Sequence, residues 1–142
     1  MDRSTQGTVF KIIIGLPGSG KTTLANAWLE QNPNAILLDD LSRDFMGGVE
    51  KFNEAKPRMV IITDPRMCGV SEDRIKEVIN KHFIDDSDFR VFNFYYFAND
   101  PEACIINARR NPKPGGTENF IRHWTKHYTI PKDAVVFPVY RG

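Results

Sequence analysis

An apolar run at residues 9–14 (Val-Phe-Lys-Ile-Ile-Ile) stops at Gly15, and the loop after it closes on Gly20-Lys21-Thr22. A run this short and nearly unbroken suits a strand covered on both faces, as in parallel sheets flanked by helices. Beyond the loop, Leu24, Ala25, Ala27, Trp28 and Leu29 predict a helix over 23–30, ended by Asn32-Pro33-Asn34. Strand, glycine-rich loop and helix in that order leave few folds open, because a right-handed crossover must bring the next strand in parallel.

The rest of the chain repeats the alternation. Further apolar strands are expected at 35–38, 58–63, 89–97 and 134–139. Ser71 is placed to cap a helix carrying Ile75, Val78, Ile79 and Phe83. Asp100-Pro101-Glu102 opens another that should run to about Arg110, and Thr117 caps a third with Ile121, Trp124 and Tyr128 on its stripe. Residues 41–57 are polar and mixed, and Gly47-Gly48 and Pro57 are expected to break any long element there. The pattern predicts an α/β fold, a doubly wound five-stranded parallel sheet with helices on both faces. With 142 residues, 41% of them hydrophobic, the chain has the material for one core, and residues 1–142 read as a single domain without repeat or linker.

The loop itself carries chemistry. Gly15, Gly20, Lys21 and Thr22 meet the pattern G-x-x-x-x-G-K-[ST] in full. Glycines let successive backbone N–H groups turn inward, and the following helix adds its positive end, so the loop is built for phosphate. Gly15, Pro17, Gly18, Ser19, Gly20, Lys21, Thr22 and Thr23 are therefore expected to hold ATP. Lys21 would bridge the β- and γ-phosphates and Thr22 would ligate Mg²⁺.

Ligands of open α/β sheets bind beyond the C-terminal strand ends, where Asp39-Asp40 and Asp64 fall. A phosphotransferase needs a carboxylate to orient and deprotonate its acceptor, and often a second to hold Mg²⁺. Asp39 or Asp40 suits the first task. Asp64 suits the second, or a contact with the acceptor. Arg109, Arg110 and Lys113, at a helix end and in a loop with two prolines and two glycines, read as a lid over the transferring phosphoryl group.

Composition narrows the setting. The net charge of +1 carries no bulk nucleic-acid signature, yet from Ile105 onward seven Lys/Arg stand against two Asp/Glu. That local excess suggests a phosphate-rich partner. Cys68 and Cys104 lack metal-ligand spacing and are expected to be reduced thiols; no apolar run is long enough to span a membrane, and a cytoplasmic location is expected. His82, His123 and His127 have no carboxylate or cysteine at ligand spacing, and Asp85-Asp86-Ser87-Asp88 lacks the glycine and glutamate of a calcium loop.

The chain resembles the P-loop kinase family that includes polynucleotide 5′-kinases of bacteriophage. The resemblance covers residues 9–130 and rests on the glycine loop, Asn32-Pro33, Asp39-Asp40, the run Val60-Ile61-Ile62-Thr63-Asp64 and the arginines closing the fourth-strand helix. It implies Asp39 as general base, Arg43 as the nearest candidate to contact the acceptor phosphate, and Arg110 as the lid arginine. Asp40, Asp64 and Arg109 complete the acceptor side. The stretch from Asp40 to Arg58 is shorter than in that family, and no D-x-D-x-T phosphatase signature is present. The implied reaction is transfer from ATP, with Mg²⁺, to the 5′-OH of a single-stranded nucleic-acid end; a viral origin, and hence a host cytoplasm, would follow from the likeness. A hydroxyl on a modified base in DNA is a close variant. The alternatives are a kinase of nucleosides or nucleoside monophosphates, since Asp64-Pro65-Arg66 is similar to a segment of adenylate-type kinases, and a nucleotide-dependent switch. The absence of an N-K-x-D motif argues against a GTPase.

Overall fold

Five parallel strands carry the molecule: β1 (Thr8–Ile14), β2 (Ile36–Leu38), β3 (Met59–Thr63), β4 (Arg90–Phe97) and β5 (Val135–Phe137). Their order across the sheet is β2-β3-β1-β4-β5. The computed structural model describes residues 7–87, 89–111 and 117–140, so Lys113 and the rest of the expected lid loop lie outside the described residues. Register is set by apolar matching: Ile12 faces Ile62 on one side and Phe94 on the other, and Ile13 pairs with Thr63 and Tyr95. β1 lies at the centre, so both of its faces must be covered, and its unbroken apolar run answers that demand.

The two faces are dressed unequally. Phe10, Ile12, Ile14, Val60 and Ile62 join a large cluster with residues of α2 (Phe45–Ala55), α3 (Glu72–His82), α4 (Pro101–Arg110) and α5 (Thr117–Thr125). Ile13 and Ile61, pointing the other way by the period of a strand, pack with Ala25, Leu24, Trp28 and Leu29 of α1 (Lys21–Gln31). Helices thus flank both faces as the alternation predicts. Among the described residues no helix is long and apolar enough to cross a membrane.

One expectation is corrected. Residues 41–57 are not an irregular stretch: a 3-10 turn, Leu41–Asp44, leads into the eleven-residue α2, which runs straight through Gly47-Gly48. The Asp44 carboxylate caps it by accepting from Gly47 N at 3.1 Å. Val49 and Phe52 are buried, with the Phe52 ring 5.6 Å from Phe10 and 4.9 Å from Phe83. The glycines serve close approach, since a Cβ at Gly48 would stand 2.6 Å from Leu41 Cδ1. Burial of two apolar residues and one cap outweigh a glycine cost of about 1 kcal/mol each. α3 and α4 begin where their caps placed them: the Ser71 side chain accepts from Arg74 N and that of Asp100 from Ala103 N, whereas α5 begins at Thr117 itself.

Candidate active site

β1 ends at Ile14 and the chain turns at once into the loop, whose sharp bends fall on Gly18 (φ 82°) and Gly20 (φ 109°). Only glycine adopts such angles freely. At Gly18 space is short as well, because a Cβ would stand 2.6 Å from the carbonyl oxygen of Cys104 in α4. Gly20 is the N-cap of α1, whose first turn holds no acidic residue, so the positive end of the helix is unopposed toward the loop.

The loop is shaped for anions in two further respects. Lys21 is buried, and its Nζ donates to the Leu16 carbonyl at 2.8 Å, folded back across the loop. Burial disfavours its ammonium form and brings its pKa down to about 8, against the weaker upward pull of Cys68, Cys104, Asp39 and Asp64. The hydroxyl of Ser19 is fully buried and has no hydrogen-bond partner among the described residues. A buried, unsatisfied hydroxyl is costly unless a ligand completes it, and the phosphate chain of a nucleotide has the acceptor chemistry to do so.

Opposite the loop stand the strand-end carboxylates. Asp39 Oδ1 accepts from Thr22 Oγ1 at 3.1 Å and from Thr63 Oγ1 at 2.5 Å. The Thr22 hydroxyl and a carboxylate oxygen side by side make a hard oxygen pair of the kind that suits Mg²⁺. Asp40 adopts a left-handed backbone (φ 53°), tolerable for aspartate, and its N–H donates to Thr63 Oγ1 at 3.0 Å. The β2 end is thereby locked to the β3 end.

Asp64 is enclosed completely. Its Oδ2 accepts from both the N–H (2.9 Å) and the hydroxyl of Ser42, and its Oδ1 from Arg66 N at 2.9 Å. Arg66 in turn places Nη1 2.9 Å from Asp40 Oδ1 and 3.8 Å from Asp64 Oδ1, with its side chain 41% exposed. Its guanidinium also lies 5.8 Å from the Phe120 ring centroid of α5. Arg66 is a member of the site that the residue-by-residue reading did not single out. The available signal was a cation two places after a strand-end aspartate, held by the 3-10 turn Pro65–Met67.

Arg43 is exposed on the 3-10 turn beside Asp40, its N–H donating to the Asp40 carbonyl at 3.0 Å. Arg109 and Arg110 are exposed at the C-terminal end of α4. Arg109 Nη2 donates to Glu118 Oε1 at 2.9 Å, and Arg122 to the same oxygen at 3.1 Å, so α4 is tied to α5. Two other contributors carry no local sequence signal. Asn107 Nδ2 donates to the Gly18 carbonyl at 2.9 Å and to the Tyr140 carbonyl, while Tyr140 N donates to the Ser19 carbonyl at 2.9 Å. The segment after β5 is thus fastened to the loop. There it borders a cavity of about 550 Å³ lined by Gly20, Thr23, Leu24, Phe97, Pro138 and Tyr140, among others. Cys68 and Cys104 are buried free thiols whose pKa values burial pushes up to about 12 and about 11, which leaves them unreactive near neutrality.

Comparison with known proteins is consistent with this geometry. No family model matches the chain. An uncharacterised protein of Acanthamoeba polyphaga mimivirus is 32% identical over 124 residues, spanning 84% of this chain and 85% of that one. Among solved structures, a gluconokinase from Sinorhizobium meliloti 1021 superposes with a TM-score of 0.56 at 11% identity, over 96% of this chain and 85% of its own. A fungal RNA kinase gives 0.58 at 14% identity, over 92% of this chain and 38% of its own. The fold is that of P-loop kinases.

Proposed function

The chain belongs to the same family as the mimivirus protein, and from that premise and the P-loop kinase fold we propose that it is an ATP-dependent phosphotransferase whose acceptor is the 5′-OH of a polynucleotide. The observation that carries the reading is the 3.1 Å link between Thr22 of the loop and Asp39 of β2's end. It sets a candidate base beside the place where the γ-phosphate would rest.

In this reading the loop amides, the Ser19 hydroxyl and the Lys21 ammonium hold the triphosphate, and the cavity beside Thr23 and Tyr140 takes its base. The Thr22 hydroxyl supplies a protein oxygen for Mg²⁺, which would neutralise phosphate charge. Of the two roles open to Asp64, a share in Mg²⁺ or a place on the acceptor side, its hydrogen bonds to Ser42 and Arg66 favour the second. Asp39 Oδ2 has no hydrogen bond among the described residues and is the oxygen that accepts the proton of the acceptor hydroxyl. The acceptor oxygen then bonds to the γ-phosphorus as the bond to the β-phosphate oxygen breaks, and ADP leaves. Arg66 and Arg43 hold the acceptor's own phosphate, and Arg109 or Arg110 attends the transferring group.

The test offers labelled ATP with 5′-OH oligonucleotides, nucleosides, nucleoside monophosphates and small polyols, with Lys21→Ala as control. Label on oligonucleotide ends supports the proposal, and label only on small acceptors overturns its acceptor half. Turnover of ATP with no acceptor overturns the phosphotransferase reading in favour of a switch. A small hydroxylated acceptor is the second reading, favoured by the likeness of the fold to a gluconokinase.

A further inference from the structure

α5 and the turn that follows it present four rings at positions 120, 123, 124 and 127, the i, i+3, i+4, i+7 spacing of a single helical stripe. Trp124 packs with its inner side against the core, as its place beside Ile121 and Tyr128 predicts, while the two histidines stand clear of it. Ile121 is fully buried and Tyr128 nearly so, whereas His123 and His127 are exposed and Phe120 and Trp124 are half-buried. The rings touch in series. Phe120 and Trp124 are 5.8 Å apart, His123 is 5.6 Å from Trp124, and His127 is 5.1 Å from His123 and 6.4 Å from Trp124. This row is continuous with the reaction centre through named contacts: Thr22 to Asp39, Asp39 to Thr63, Thr63 to Asp40, Asp40 to Arg66, and Arg66 over Phe120.

We propose that this ring stripe is the platform on which the bases of a single-stranded nucleic-acid acceptor stack, with Arg66 at its inner end gripping the phosphate nearest the reacting hydroxyl. The inference rests on the polynucleotide reading above and adds to it the surface that would recognise the strand. Charge and ring chemistry match that occupant. Arg66 keeps two-fifths of its side chain exposed although it is paired with Asp40, and the exposed Lys126 lies next to His127 in the chain. Cations along a backbone track, interleaved with aromatic faces, are the means by which single strands are held without regard to sequence. A small sugar acceptor would have no use for a row extending beyond Arg66.

The experiment uses the full chain carrying Trp28→Phe, so that Trp124 is the remaining tryptophan. Its emission is titrated with a short 5′-OH oligodeoxynucleotide, the matching oligoribonucleotide, and an abasic strand of equal length. The same protein and its Phe120→Leu/His127→Ala variant are assayed for transfer, with ATP binding as the check that the variant is folded. Expected are quenching by both base-bearing strands but not by the abasic one, and a KM for oligonucleotide raised about tenfold in the variant, the scale of one lost stacked base. The KM for ATP should stay within about twofold, since among the described residues no hydrogen bond or ring contact joins either side chain to the loop. If the abasic strand quenches as strongly, or if oligonucleotides are phosphorylated with an unchanged KM in the variant, the platform is overturned while the acceptor reading stands. If no strand binds and none is phosphorylated, the acceptor reading itself fails and the platform with it.

Discussion

At the scale of single residues, Lys21 makes the sharpest demand. Its amine is buried against the Leu16 carbonyl with a pKa of about 8, so it loses its charge at a pH where an ordinary lysine keeps it. Two trends of opposite sign follow. The unfolded chain holds this proton up to about pH 10.4, so between about 8 and that value the unfolded state binds more protons and stability gains with rising pH. ATP affinity should move the other way and fall above pH 8, because the neutral amine no longer attracts phosphate. Calorimetric titration of ATP between pH 6.5 and 9.5 checks this, with Lys21→Arg as the comparison, since a guanidinium stays charged throughout. A flat profile in the native protein would refute the account. For Asp39→Asn the expected outcome is intact ATP binding with transfer slowed by about 10²-fold or more, the usual loss for a general base; near-native transfer would move the base to Asp40. These residues were legible because local spacing places them: a glycine loop after a buried strand, and aspartates at strand ends. Arg66 was less legible, because its value lies in partners contributed by β2 and α5.

At the scale of elements, the sequence was readable wherever period and cap agreed, as at α3 and α4. It misled at α2, where two adjacent glycines look like a break. Their intrinsic preference is overridden by tertiary terms that no local window contains, namely the Asp44 cap and the burial of Phe52 against Phe10 and Phe83. Asp44→Ala should therefore cost about 1 kcal/mol, and Phe52→Ala about 3–5 kcal/mol, both read from denaturant midpoints at constant slope. The cap variant should also weaken acceptor use more than ATP binding. The 3-10 turn that precedes α2 carries Ser42, whose N–H and hydroxyl hold Asp64, and Arg43, while among the described residues no hydrogen bond joins it to the loop. If Asp44→Ala changed the KM for ATP and for acceptor equally, the division of labour between the two sides of the site would be wrong.

At the scale of the whole molecule, the donor side is closed by contacts that join distant parts of the chain. Asn107 donates to both Gly18 and Tyr140, and Tyr140 donates back to Ser19, so α4, the glycine loop and the segment after β5 form one fastened unit. Contacts spanning 89 and 33 positions leave no trace in periodicity, which is why Asn107 escaped the sequence reading and the arginines two and three places later did not. The arrangement predicts a coupling between fold and ligand. Losing Asn107 should cost about 1 kcal/mol of stability for its hydrogen bonds, while freeing Tyr140 to leave the cavity beside Thr23. ATP at a hundredfold excess over its Kd should stabilise the native protein by about 2.7 kcal/mol, and a tenfold weaker Kd removes about 1.4 kcal/mol of that gain. Thermal unfolding of Asn107→Ala with and without ATP separates the two effects. The expected result is a slightly lower Tm for the free variant and a clearly smaller rise on adding ATP. A rise equal to that of the native protein would mean that the segment after β5 takes no part in holding the nucleotide, and that the loop binds it alone.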